Sequence, residues 1–391
     1  MLTLIRGGRV FAPEDLGTKD ILIAGGKVCA LAPSGTVRLE GAEAKVVDAS
    51  GTLVVPGFVD SHVHILGGGG EGGPATRAPE IRVEDIAACG VTTVIGCLGT
   101  DGVTRHMESL LAKARALEIE GISTWIFTGS YEIPVRTITG SVRGDIILID
   151  KVIGAGEIAV SDHRSSQPSF EEFARLAAEC RVGGMLGGKA GILHLHLGDG
   201  PRRLDYLFRL VRETEIPIGQ LIPTHANRNR ELFAQAMEFA RQGGTIDLTA
   251  GPENIPASEP DISVIEAVSL CREGGVPLSR LTVSSDSNGS LPVFDKEGNL
   301  VRLTVADEKD LFLNFQALVR RKVLGLGDAL RLFATTPASF YRLPGKGKIA
   351  EGMDADLLLL DENLNLRDAF ARGRRLVDRG RVVARGTFSE P

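Results

Sequence analysis

The chain has 391 residues, 43% hydrophobic and 24% charged, with 44 Lys and Arg against 50 Asp and Glu for a formal charge of −6. That length and apolar content support a large folded core and exclude disordered, collagen-like and coiled-coil chains. Without a Lys/Arg stripe or an apolar run near the roughly 18 residues of a membrane span, neither nucleic acid nor a membrane is an expected partner.

The start, MLTLIRGGRVFAPEDLG, lacks the charged, apolar and small-residue order of a secretory signal, so a cytoplasmic location is expected. LTLIRGGRVF, DILIAGGKVCALA and AKVVDASGTLVVPG alternate apolar stretches with Gly and Pro, the pattern of short antiparallel strands. From Val54 the pattern changes to apolar strands alternating with amphipathic helices. Eight strands are predicted: VPGFVDSHVHI, VTTVIGCL, STWIFTGS, KVIGAGEIAVSD, ILHLHLG, IGQLIPTHAN, TIDLTAG and LTVSSDSNG. Between them RHMESLLAKARALEI, SFEEFARLAAECR, RRLDYLFRLVRET and ELFAQAMEFARQG carry helical spacing. Eight strands close a TIM barrel. After LGDALRLFATTPASFYRL the chain returns to short β segments, GKGKIAEGMDADLLLLD and RRLVDRGRVVARG. The expected fold is α/β: a (β/α)8 barrel over residues 55–344, with a small β-sandwich built from both chain ends, 1–54 and 345–391. Lone hairpins are unstable, so the two β-rich ends need each other.

His62 and His64 stand two apart on the first barrel strand, where side chains share a face. His196 and His225 recur at the ends of later strands, and Asp286 follows the eighth. A TIM barrel gathers its C-terminal strand ends at one mouth, so these five residues become neighbours. Imidazole and carboxylate without thiolate fit Zn²⁺ first, with Mn²⁺, Co²⁺ or Fe²⁺ as alternatives. Cys29, Cys89, Cys97, Cys180 and Cys271 are widely spaced, lack CxxC, and read as small buried apolar residues. His106, His163 and His194 are left outside the ligand set, His194 as facing away from His196. The G-x-x-x-x-G-K run from Gly183 to Lys189 is followed by Ala190 and sits in a helix-then-strand context, so no nucleotide site is expected.

VVPGFVDSHVH, the later single His residues, the Asp after strand eight and GKGKIAEGMDADLLLLD resemble the amidohydrolase superfamily. HVHILGGGGEGGPATR, GSYEIP, SDHRSSQP, PTHANRNRELF and SSDSNGS are similar to the bacterial isoaspartyl dipeptidase family, metallopeptidases that cleave β-aspartyl bonds. The resemblance implies two metals bridged by a carboxylate from strand four, usually a carbamylated lysine. Glu157 occupies that place here, and Lys151 lies about 20 Å back along the strand, out of reach. Glu is shorter than carbamyl-lysine, so its backbone is expected nearer the metals, with Gly154 and Gly156 permitting the approach.

The resemblance further implies a hydroxide held by the metals, Asp286 relaying its proton to the leaving amine, and Tyr131 bonding the developing oxyanion. Glu71 with Ser290 would read the substrate's α-ammonium, Gly69 and Thr100 the aspartyl α-carboxylate, and Arg164 with Arg228 the C-terminal carboxylate. The implied partners are a small dipeptide and further copies of the chain, up to an octamer. Two other readings stand beside this one: a hydrolase of another small amide, such as an N-acyl amino acid or cyclic imide, and a scaffold that has lost its chemistry.

Overall fold

The computed structural model describes residues 2–39, 41, 43–253, 261–295 and 297–389. Strands β1 (Leu2–Phe11), β2 (Asp15–Ala24), β3 (Lys27–Pro33), β4 (Ala44–Asp48) and β5 (Leu53–Pro56) come from the first chain end. The predicted barrel strands follow as β6 (Phe58–Val63), β7 (Val91–Gly96), β8 (Ser123–Thr128), β9 (Val152–Val160) and β10 (Ile192–Leu197). Next come β11 (Leu221–Thr224), β12 (Ile246–Thr249) and β13 (Leu281–Ser284). A hairpin that the sequence reading missed, β14 (Ser290–Phe294) and β15 (Leu300–Val305), precedes the final strands β16 (Leu357–Leu360), β17 (Leu366–Ala371), β18 (Arg374–Asp378) and β19 (Arg381–Val382).

Both chain ends share one nine-stranded sheet in the order β19-β18-β17-β16-β5-β1-β2-β3, with β4 also paired to β1. The seam is antiparallel: Leu53 opposes Leu360, and Val55 opposes Leu358. Leu357–Leu360 is a run of four leucines rather than an alternation because both faces of this strand are covered. Leu357 and Leu359 enter one core with Ile5, Ile21 and Val54, while Leu358 and Leu360 enter the main core with Phe58 and Phe315. Successive strand side chains point to opposite faces, so one segment serves two cores.

The parallel sheet has the order β11-β10-β9-β8-β7-β6, and β12 and β13 form a parallel pair. That pair stands between the ends of the six-stranded ladder. Ala226 N donates to Asp247 O on one side, and His64 N donates to Ser287 O on the other. Helices Met107–Glu120, Phe170–Gly187, Asp205–Glu213 and Arg230–Arg241 lie where their apolar spacing predicts. Inside the sheet, Val59, Ile95, Phe127, Ile153, Ile192 and Ile222 form an apolar layer that also contains Tyr341. The site therefore rests on a packed floor. Cys29 is exposed, against the expectation of burial, while the other four cysteines are buried. No helix among the described residues is long and apolar enough to cross a membrane.

The sheet is fastened to the base of the barrel by a buried lysine. Lys346 Nζ lies 2.6 Å from Ser123 Oγ at the start of β8 and 2.7 Å from both Asp354 and Asp356. Replacing Lys346 with Met leaves the buried Asp356 without its cation, while Asp354 keeps Lys27. A loss of about 3–5 kcal/mol is expected in denaturant unfolding, the cost of breaking a buried pair from one side.

Candidate metal centre

His62 and His64 leave β6 with their Nε2 atoms 3.3 Å apart. The two-residue period delivers both rings to one place, as the sequence predicts. Glu157, near the end of β9, divides its carboxylate between two histidine pairs. Oε1 lies 2.7 Å from His196 Nδ1 and 3.1 Å from His225 Nε2, while Oε2 lies 3.4 Å from His62 Nε2 and 3.6 Å from His64 Nε2. Asp286 Oδ1 completes the first side, 3.0 Å from His64 Nε2 and 3.4 Å from His62 Nε2. Residues from four strand ends plus the β13 turn thus form one buried cluster.

His225 and Asp286 both have φ +56, so each turns out of its strand in the left-handed region. Gly289 lets that turn close on the cluster, since a Cβ there would strike Asp286 Oδ1 and His64 Cδ2. Gly154 and Gly156 serve a different contact from the one expected. A side chain at either would collide with Ile192 or His194, so these glycines let β9 lie close on β10. Lys151 is at the far end of β9, donating to Thr124 O and paired with Glu118.

Burial by itself would raise Glu157, but His62, His196 and the hydrogen bonds from His196 and His225 hold it well below the usual carboxylate range. Burial likewise opposes Asp286 ionisation, and His64, His62 and His225 again prevail, so it is a carboxylate at neutral pH. Burial would lower His64, yet Cys97 and Asp286 push it up to about 10. Burial pushes His225 down to about 3, leaving it neutral. The negative potential that favours a proton on His64 favours a divalent cation equally. Glu157 Oε2 and Asp286 Oδ1 are buried with no hydrogen-bond partner. Orphaned carboxylate oxygens beside imidazole nitrogens are a donor set for a transition metal, which would take the place of the protons held there, and the residues fit one.

The surroundings differ from expectation in several places. His194 does not face away. It shares its face with His196, as residues two apart must, and sits one layer deeper with Nε2 3.2 Å from His62 Nδ1 and Nδ1 3.3 Å from Tyr341 Oη. Cys97, read as core, has Sγ 3.9 Å from His64 Nδ1 and groups with His62, His64 and Glu157. Tyr131 Oη lies 2.8 Å from His196 Nδ1, and burial keeps its phenol protonated. Glu71 Oε1 accepts from Ser290 Oγ at 2.9 Å and from Thr100 Oγ1 at 3.1 Å, while its Oε2 is buried without a partner. Thr100 therefore directs its hydroxyl to Glu71 rather than outward. Arg164 is drawn toward two carboxylates, Asp162 at 2.8 Å and Glu71 at 3.4 Å, whereas Arg228 keeps a buried Nε without a partner. His163 packs edge-on against Phe294 of the β14–β15 hairpin. The Gly183–Lys189 run ends a helix, and Lys189 Nζ caps Ile146 O, so no phosphate loop exists there.

Sequence reasoning passed over Arg105 and Asp162. Arg105 is buried and donates to Leu66 O, Gly69 O and Ala78 O, stapling the glycine-rich loop that carries Gly69 and Glu71. Arg105→Met should loosen that loop by about 1–3 kcal/mol per unsatisfied group, read as faster amide exchange across residues 66–78. Asp162 stood in a quoted segment, but nothing in its neighbours' identity reveals a buried carboxylate.

Residues 45–110 match the amidohydrolase family. The chain is similar to the β-aspartyl dipeptidase of Fervidobacterium islandicum AW-1 solved in complex with β-Asp-Leu: 46% identity, TM-score 0.92, covering 98% of this chain and 97% of that one. A second structure of that enzyme gives 45% identity and TM-score 0.89, covering 98% of each chain. The dihydroorotase of Streptococcus pyogenes serotype M1 is 26% identical over 400 residues, 92% of this chain and 90% of that one. Dihydropyrimidinase from Brevibacillus agri, at 18% identity and TM-score 0.66 over the full length of both chains, shares the fold.

Proposed function

This chain belongs to the β-aspartyl dipeptidases of the amidohydrolase family, and on that premise we propose that it hydrolyses β-aspartyl dipeptides with two divalent cations, Zn²⁺ in the first instance. The observation that carries the two-metal reading is the division of Glu157, one oxygen toward His196 and His225 and the other toward His62 and His64. His62, His64 and Asp286 would hold one cation with Glu157, and His196 and His225 the other. Cations bound there supply a polarised carbonyl and water of lowered pKa.

The chain's own groups do the rest. Asp286, ionised and buried, accepts a proton from water and returns it to the leaving amine, which departs poorly unless protonated. Tyr131 donates its phenolic hydrogen toward the developing oxyanion. The unpartnered Glu71 Oε2, on a carboxylate whose Oε1 is held by the Ser290 and Thr100 hydroxyls, suits an α-ammonium, and the unpartnered Arg228 Nε suits a carboxylate. Gly69 brings backbone close to the same pocket, and Arg164, held by Asp162 and touching Glu71 through Nη1 at 3.4 Å, would join Arg228 at the C-terminal carboxylate. Repeated subunits remain part of this reading, with exposed Leu291 and Val293 on the β14–β15 hairpin as apolar surface.

Chelation should abolish hydrolysis of β-Asp-Leu, and Zn²⁺ or Co²⁺ should restore it, while α-Asp-Leu and N-acetylated β-Asp-Leu are cleaved poorly. Full activity in metal-free protein would remove the metal mechanism. Equal rates on the acetylated and free dipeptides would instead promote a general N-acyl amidohydrolase.

A further inference from the structure

We propose that Asp162 is a positioning residue that serves the metal cluster and the substrate pocket with one carboxylate; the inference rests on the metallo-dipeptidase reading above. Asp162 lies just beyond β9 and is 7% exposed. Its Oδ2 is 2.9 Å from His196 Nε2 and 2.8 Å from Arg164 Nη2. Its Oδ1 accepts from the Arg164 backbone N at 2.7 Å and from Arg164 Nε at 3.1 Å. Arg164 then reaches Glu71 Oε1 through Nη1 at 3.4 Å. An unbroken polar path thus runs from Glu157 Oε1 through His196, Asp162 and Arg164 to Glu71.

The chemistry of each link sets its role. His196 presents Nδ1 to Glu157, whereas His62, His64 and His225 present Nε2. Once a cation takes Nδ1 in place of its hydrogen bond to Glu157, the ring proton belongs on Nε2, where Asp162 Oδ2 receives it beside Arg164 Nη2, 3.2 Å from the same nitrogen. A carboxylate in that position selects the tautomer, sets the ring's rotation and raises its basicity as a ligand. The same carboxylate holds the Arg164 guanidinium by two nitrogens, and a planar fork gripped this way has one orientation. Arg164 cannot swing freely, and neither can the Glu71 carboxylate it touches. Asp162 is therefore not a catalytic residue; it acts through His196 on one side and Arg164 on the other.

Asp162→Asn replaces one acceptor oxygen by an NH2 facing two donors, and Asp162→Ser removes the charge while keeping an acceptor for the Arg164 backbone amide. Zinc affinity of the full-length protein, measured by competition with a chromophoric chelator, should fall about 10–100-fold in both. At saturating zinc, kcat for β-Asp-Leu should recover to within about threefold of the wild type while KM stays raised by roughly tenfold or more. Arg164→Gln, which spares the Asp162–His196 contact, should raise KM and leave zinc affinity unchanged. Wild-type zinc affinity in the Asp162 variants, or a KM restored along with kcat, would overturn the proposal. Should neither variant fold, long-range ¹H–¹⁵N histidine spectra of zinc-loaded wild type decide it: His196 protonated on Nε2 supports the role, and on Nδ1 overturns it. Wild-type protein that binds no zinc would instead defeat the metallo-dipeptidase reading itself.

Discussion

If two cations share Glu157 as proposed, Glu157→Gln is expected to leave one metal per chain or none and to lower hydrolysis roughly 100-fold or more. Even residues that only orient metal ligands cost about 10–100-fold when lost, so a shared ligand sets a higher floor. Each Glu157 oxygen faces its own histidine pair. Gln keeps the shape but puts an NH2, which cannot ligate, on one of the two sides. Added bicarbonate should not rescue the variant, because a carbamate needs a lysine and Lys151 is engaged with Thr124 and Glu118 at the other end of β9. Metal analysis beside turnover measures both effects. Two metals retained at a near-normal rate would mean that another group joins the two halves.

Asp286→Asn is expected to lower kcat about 10²–10⁴-fold, the range for losing a positioned acid–base group, with KM little changed. An amide oxygen can replace the carboxylate as a ligand, but an amide cannot accept and return a proton at neutral pH. Metal content should therefore hold while turnover collapses. The turn should survive as well, since it is tied by the backbone bond from Gly289 N to Asp286 O at 2.9 Å. A variant within tenfold of wild-type kcat would move the proton relay to another residue.

Much of this architecture is local in origin and was legible residue by residue. The alternation of apolar strands with amphipathic helices places eight barrel strands in order, because side-chain period is set by backbone geometry within a few residues. The same period carries His62 and His64 to one face, and strand ends carry His196, His225 and Asp286 to the same mouth. Applied consistently, it also places His194 beside His196; reading it as facing away contradicts the geometry that pairs His62 with His64.

What only the tertiary structure decided are the contacts whose partners lie far apart in the chain. That Glu157 spans two histidine pairs depends on the separation of β6, β9, β10 and β11, which no local pattern encodes. Arg164 meets Glu71 from 93 positions away, and Arg105 reaches three carbonyls of a loop 27 to 39 positions earlier. Charged groups take whichever complementary partner burial leaves within reach, and burial is a property of the assembled fold. Sequence therefore determined the barrel strands and which histidines stand near their ends, but not the β14–β15 hairpin. Packing decided which atoms of those residues meet, because hydrogen bonds and ion pairs are settled by tenths of an ångström that only the assembled fold supplies.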